Sequence, residues 1–272
     1  MSLYSKIFLP LAVVACLLAF AAPAPAGGPR VGYEYWIPSA EADSAGMHGI
    51  HFKRFVSGSA YLPRYPFSFQ RWDDPQLGEL SRRLGLDSLT TGAGSEFDSV
   101  VRIAHLVSEL WAHNWPIDYP VWNALAILDR TGRGDHLWCT YKHLLLLQCL
   151  AAIGIQARIV PCNWHHAMEF WSNDYDKWVL MDAWTASYYR RDGVPQGALE
   201  LHRLSRAFGD LKGSGVWEIN INPDRWKPER TRDSIPAETG CYSHIRYIPR
   251  NDFLSAPLAP KPAGAPGDYL KP

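Results

Sequence analysis

The sequence predicts an α+β fold, and three observations carry that prediction. A helix beginning near Cys139 has leucines on nearly every side ("CTYKHLLLLQCLAA") and must therefore be buried within a domain. Three short strand-like segments follow it directly, "IQARIVPC", "HAMEFWS" and "KWVLMDAW". The last two are joined by "NDYD", which has hairpin-turn chemistry. One buried helix followed by an antiparallel sheet is an α+β pattern.

Taken from the N-terminus, residues 1–26 read as an export signal. Lys6 precedes an uncharged run, and Ala24-Pro25-Ala26 supplies the small residues that signal peptidase needs, so cleavage falls after Ala26. The run is too short for a membrane span, and none is expected after cleavage. A bacterial lipobox ending at Cys16 is the weaker alternative, because the apolar run continues through Ala22. The protein is thus expected in the periplasm or outside the cell.

Residues 27–95 are expected to form an aromatic- and Gly/Pro-rich segment packed on the core. It holds irregular stretches such as "YEYWIPS" and "SGSAYLPRYPFSFQRW", and a short helix at residues 75–84. Residues 96–253 are expected to form the catalytic domain. It starts with a helix at 98–112, where Val100, Ile103, Ala104, Val107 and Leu110 recur at helical spacing behind a Ser99 or Asp98 cap. A loop containing Trp and Pro leads to the short helix "NALAILDR", which "TGRG" breaks. Gly154 ends the helix that carries Cys139. Beyond Tyr189, "DGVPQGALELHRL" suggests a loop and a short helix, and "VWEININPDRW" a further strand. Residues 254–272 read as a disordered Pro/Ala-rich tail.

Charge is balanced, 27 basic against 27 acidic residues, so nothing calls for nucleic acid. Nearly half of the residues are hydrophobic, as a folded core requires. Four cysteines remain after cleavage: Cys139, Cys149, Cys162 and Cys241. In an exported chain they permit two disulfides, or one disulfide and a free nucleophile.

Cysteine catalysis needs a thiolate, a base to make it and a group to orient that base. A Cys at the N-terminus of a buried helix gains from the positive end of the dipole. A His on the adjacent strand and an Asp one strand further over can complete the set. Cys139, then His165 or His166, then Asp182 follows that order.

Residues 123–184 resemble the transglutaminase-like superfamily, whose fold is related to papain-like cysteine proteases. The resemblance lies in a Cys opening a helix, "AAIGIQARIV" after it, a His-to-Glu strand and "KWVLMDAW". It implies a Cys139-His165-Asp182 triad acting by acyl transfer on an amide of a protein, a peptide or the cell wall. Hydrolysis is favoured over cross-linking to an amine, and no cofactor is implied. No calcium loop of the animal transglutaminases is evident. Leu137 stands where the family usually has Gly. Glu169, four residues after His165, selects that histidine; the dipeptide His166-Ala167 selects His166 as the alternative base. Strand alternation puts the two on opposite faces, so that one alone is expected to reach the sulfur.

Other readings stand beside this one. Cys139 is a packing residue, or a disulfide partner of Cys162, or a metal ligand with His136 and His143 at i, i+3 and i+7 of one helical face. Glu169 is a cross-strand partner of Arg158. From a different class comes a catalytically inactive module with this fold, binding or structural, at the cell surface.

Overall fold

The computed structural model describes residues 69–112, 120–222, 234–248 and 250–257. The export signal, nearly all of the aromatic stretch 33–72, the Trp/Pro-containing loop after residue 112 and the tail from 258 onward lie outside the described residues.

Local chemistry sets each helix start. Asp74 accepts from the amide of Gln76, and Pro75 takes the first position of α1 (Pro75–Leu84), which ends at Gly85 with φ of 64°. Helix α2 (Leu86–Thr90) follows at once. Helix α3 (Glu96–Glu109) begins earlier than its apolar spacing suggests. Its cap is Ser95, in extended conformation and accepting from the amide of Asp98. Glu96 and Asp98 then occupy the first turn, where carboxylates favour the positive dipole end. Asn123 caps α4 (Ala124–Thr131) by accepting from the amides of Leu125 and Ala126.

Helix α5 (Cys139–Ala152) is buried along every residue but its last. Such burial requires a partner for each polar side chain it carries. Gln148 accepts from the amide of Ala124 and donates to the carbonyl of Leu144. Lys142 donates to the carbonyl of Ser108 at 2.5 Å, with its ammonium 5.1 Å from the Trp111 ring centre. A buried lysine therefore sits at the negative end of α3. Gly154, with φ of 84°, lets the chain leave α5 for the sheet.

The sheet is antiparallel throughout, in the order β1-β2-β3-β4-β6-β7, with β5 paired to β4. Its strands are β1 (Ala157–Pro161), β2 (His166–Ser172), β3 (Lys177–Asp182), β4 (Ser187–Arg191), β5 (Val194–Pro195), β6 (Trp217–Asn220) and β7 (Ser234–Pro236). Alternation assigns Ile159, Met168, Phe170, Val179 and Met181 to the face packed with α5. Val160, Ala167 and Leu180 face the other way, onto α6 (Ala198–Phe208) through Ala198 and Leu201. The α+β expectation and the antiparallel sheet are thus as read.

Two contacts fix α6 against the sheet. A side chain at Gly197 would stand 2.5 Å from the carbonyl of Trp178, so only glycine lets the helix start this close to β3. Glu169 then accepts from the amide of Ala198 at 2.9 Å. The same carboxylate pairs with Arg158 directly across the β1–β2 register, as the cross-strand reading expected. Arg158 is itself held between the rings of Trp178 and Tyr247.

Leu254, which the sequence reading assigns to the tail, is buried in the α5 core with Phe253. Among the described residues, no helix is long and apolar enough to cross a membrane.

Candidate functional site

Cys139 is the first residue of α5, and no side chain caps that helix. Its first-turn amides, including that of Cys139, therefore point out of the helix end, where the dipole is positive. His165 sits one residue before β2, at the end of a turn closed by the Cys162 amide donating to the His165 carbonyl at 2.8 Å. Asp182 is the last residue of β3, beside the start of β2. Three separate elements thus converge on one point, and all three side chains are buried.

Imidazole Nε2 of His165 lies 2.7 Å from Asp182 Oδ2. Cys139 lies near enough to the same ring for its ionisation to be coupled to that of His165. The Trp184 ring lies against His165 with centres 4.9 Å apart and shields the imidazole–carboxylate pair from solvent. Asp182 Oδ1 in turn accepts from the amides of Trp184 and Thr185, each at 2.9 Å.

The electrostatics follow from these contacts. Burial works against a thiolate at Cys139, yet hydrogen bonds from His165 and His166 and the charges of His165 and His143 outweigh it and lower its pKa to about 5. Burial likewise opposes the imidazolium of His165, and the Asp182 charge and hydrogen bond override it, holding its pKa well above the ordinary value. Asp182 stays well below the usual carboxylate range: burial disfavours its charge, but His165 and His143 stabilise it more. The result is a buried thiolate, imidazolium and carboxylate in a row.

His165 precedes the strand and lies on the turn, so strand alternation does not govern it. His165 and His166 both lower the Cys139 pKa, and His166 Nδ1 meets Thr140 Oγ1 at 3.0 Å. One expectation needs correction: the supposed helical face of His136, Cys139 and His143 does not exist. Helix α5 starts at Cys139, and His136 lies before it, exposed.

His143 belongs to the site all the same. Its Nδ1 donates to the Cys139 carbonyl at 2.8 Å, and its Nε2 lies 3.1 Å from both Asp182 Oδ1 and the amide of Ala183. With Nδ1 a donor, Nε2 is free to accept from the amide of Ala183. The signal in the sequence is a histidine one turn after Cys139 on a helix that is otherwise almost wholly apolar, where a polar group demands a partner.

His143, His165 and Asp182 also present donor atoms within 4.8 Å of one another, types that zinc accepts. Against that use stands the hydrogen bonding: the Asp182 oxygens already serve two amides and two imidazoles. The four cysteine thiols among the described residues are free, and the sulfurs of Cys162 and Cys241 lie 3.1 Å apart.

No family model and no curated protein matches the chain. Among solved structures it is similar to a putative protease from Parabacteroides distasonis ATCC 8503, at 15% identity and a TM-score of 0.30. That likeness covers 71% of this chain, which spans little more than a third (37%) of the other. It is too slight to carry an argument about fold or activity, so the functional reading rests on the site itself.

Proposed function

We propose that the protein is a cysteine enzyme of the transglutaminase-like class that performs acyl transfer on amides, with Cys139 as nucleophile, His165 as base and Asp182 as the group that orients it. The observation that carries this reading is His165, whose Nε2 meets Asp182 at 2.7 Å while the same ring lowers the pKa of the buried Cys139 thiol. That is the relay a nucleophile, a base and an orienting acid require.

In the reaction, the thiolate of Cys139 attacks the carbonyl carbon of the amide. The carbonyl electrons move onto oxygen, and the outward amides at the start of α5 receive the developing charge. Collapse breaks the carbon–nitrogen bond, and the departing amine takes its proton from the His165 imidazolium. A thioester on Cys139 remains. Water, losing a proton to His165, then attacks the thioester, releasing the acid and restoring the thiolate. An amine in place of water gives cross-linking; hydrolysis is the favoured outcome. Asp182 keeps the Nε2 proton in place throughout. Export, read from residues 1–26, sets this chemistry in the periplasm or outside the cell.

The test is the pH profile of iodoacetamide labelling at Cys139. Half-maximal labelling is expected near pH 5 in the parent and close to 9, the ordinary thiol value, in His165→Ala. Asp182→Asn is expected to shift it in the same direction. A chelator should leave the parent profile unchanged. A parent Cys139 that labels like an ordinary thiol would sink the enzymatic reading and leave an inactive module with this fold.

A further inference from the structure

The Cys162–Cys241 thiol pair has no part in the reaction above, yet it sits at the base of the turn that presents His165. We propose that these two residues form an intrachain disulfide that braces the His165 turn against the Cys241–Ser243 segment. The brace takes its significance from the triad reading, while the bond itself stands on geometry alone.

The two segments are already aligned. Cys162 leaves β1 and forms an antiparallel bridge with Ile245, and the amide of Arg246 donates to the Pro161 carbonyl at 2.8 Å. One residue on, Asn163 donates its own amide to the Cys241 carbonyl at 3.2 Å and its side chain to Ser243 Oγ at 2.6 Å and the Gly240 carbonyl at 3.2 Å. The sulfurs face each other across this junction at 3.1 Å, both on the sheet face that packs with α6. Closing the bond needs a shift of about 1 Å in the sulfurs, to the usual S–S length near 2.05 Å. Side-chain rotation supplies that.

The connection to the site is direct. The amide of Cys162 donates to the His165 carbonyl at 2.8 Å, a bond that survives oxidation, while the thiol's own bond to that carbonyl, at 3.2 Å, is given up when the disulfide forms. Whatever fixes Cys162 fixes the turn and therefore the imidazole. Cys241 is nearly buried and Cys162 half-buried, so an oxidant reaches the pair through Cys162. The hydrogen bond between the sulfurs eases the loss of the Cys241 proton and makes the Cys162 proton harder to remove.

The oxidant is an external disulfide, as found in oxidising compartments. The two thiols surrender two protons and two electrons to one such molecule, which leaves as two thiols; one sulfur–sulfur bond is broken and one formed.

The experiment treats the full chain with oxidised glutathione, blocks remaining thiols and maps the peptides without reduction. The expected result is a Cys162 peptide linked to a Cys241 peptide, with Cys139 and Cys149 in no intrachain link. Oxidation should raise the melting temperature by roughly 5–10 °C, and the double variant Cys162→Ser, Cys241→Ser should show no such rise. Recovery of Cys162 and Cys241 as separate blocked thiols, or a link from Cys139 to Cys162, overturns the proposal. The peptide map of the parent decides even where the variant does not fold. Cys139 labelling, measured in the reduced parent, tests the triad separately, so that either reading can fail while the other stands.

Discussion

His143 ties the nucleophile's backbone to the acid that orients the base, since it bonds the Cys139 carbonyl and lies against Asp182. Its replacement by alanine leaves the amide of Ala183 without this partner, at a cost of about 1–3 kcal/mol, while the Cys139 carbonyl keeps its helical bond from the residue 143 amide. The His143 charge is also among the causes that lower the Cys139 pKa. His143→Ala is therefore expected to raise the pH of half-maximal Cys139 labelling, by less than His165→Ala does, and to lower the denaturant midpoint. Labelling unchanged from the parent would confine His143 to a packing role. At this scale Cys139 and Asp182 were legible from their order along the chain, and Glu169 pointed to His165. What alternation could not supply was the turn that frees His165 from the strand.

The elements show the same division between local and tertiary information. Helix α1 is placed by Asp74, Pro75 and Gly85, all local signals, and the sequence reading gave its bounds. Helix α3 starts two residues before its apolar spacing suggests, because apolar spacing begins inside a helix whereas the Ser95 cap lies outside it. Strand β4 ("SYYRR") is not marked by apolar alternation; it pairs with β3 and β5 nearby and with β6, nearly thirty residues further on. Lys142 is a tertiary feature of this kind, for its partner is the last turn of α3. Lys142→Met keeps the volume but removes the cation from Ser108, and a loss of about 1.5–3 kcal/mol is expected by chemical denaturation. Lys142→Arg, which keeps the charge but carries a broader head group, should be destabilised as well, because the site is closed on all sides.

For the molecule as a whole, the site dictates how stability depends on pH. Between pH 5 and about 6.5 the folded chain has lost the Cys139 proton and the unfolded chain has not, so stability rises with pH. Above about 6.5 the unfolded chain has given up its histidine proton while folded His165 retains one, which offsets the gain from Cys139 and levels the curve to a plateau; the His165 contribution is lost as pH rises through its raised pKa. Below about 4 the contribution of Asp182 is lost as well, since its folded pKa is depressed. Thermal melts from pH 4 to 10 are expected to trace this plateau, and Cys139→Ala should flatten its acid limb. A parent curve without that limb would mean that no folded thiolate exists. The bipartite core, α5 on one face of the sheet and α6 on the other, was legible only as a buried helix followed by strands. The contribution of Leu254 and Phe253 was not, because nothing in a Pro/Ala-rich neighbourhood marks a core residue.

The encasement of α5 has one more consequence. A helix with no exposed flank has no local route by which solvent reaches its main-chain amides, so hydrogen–deuterium exchange along residues 143–151 should proceed only when the entire domain opens. The exchange rate of a peptide from α5 would then read out the global unfolding free energy, and its slowing on oxidation would measure how much the Cys162–Cys241 link contributes.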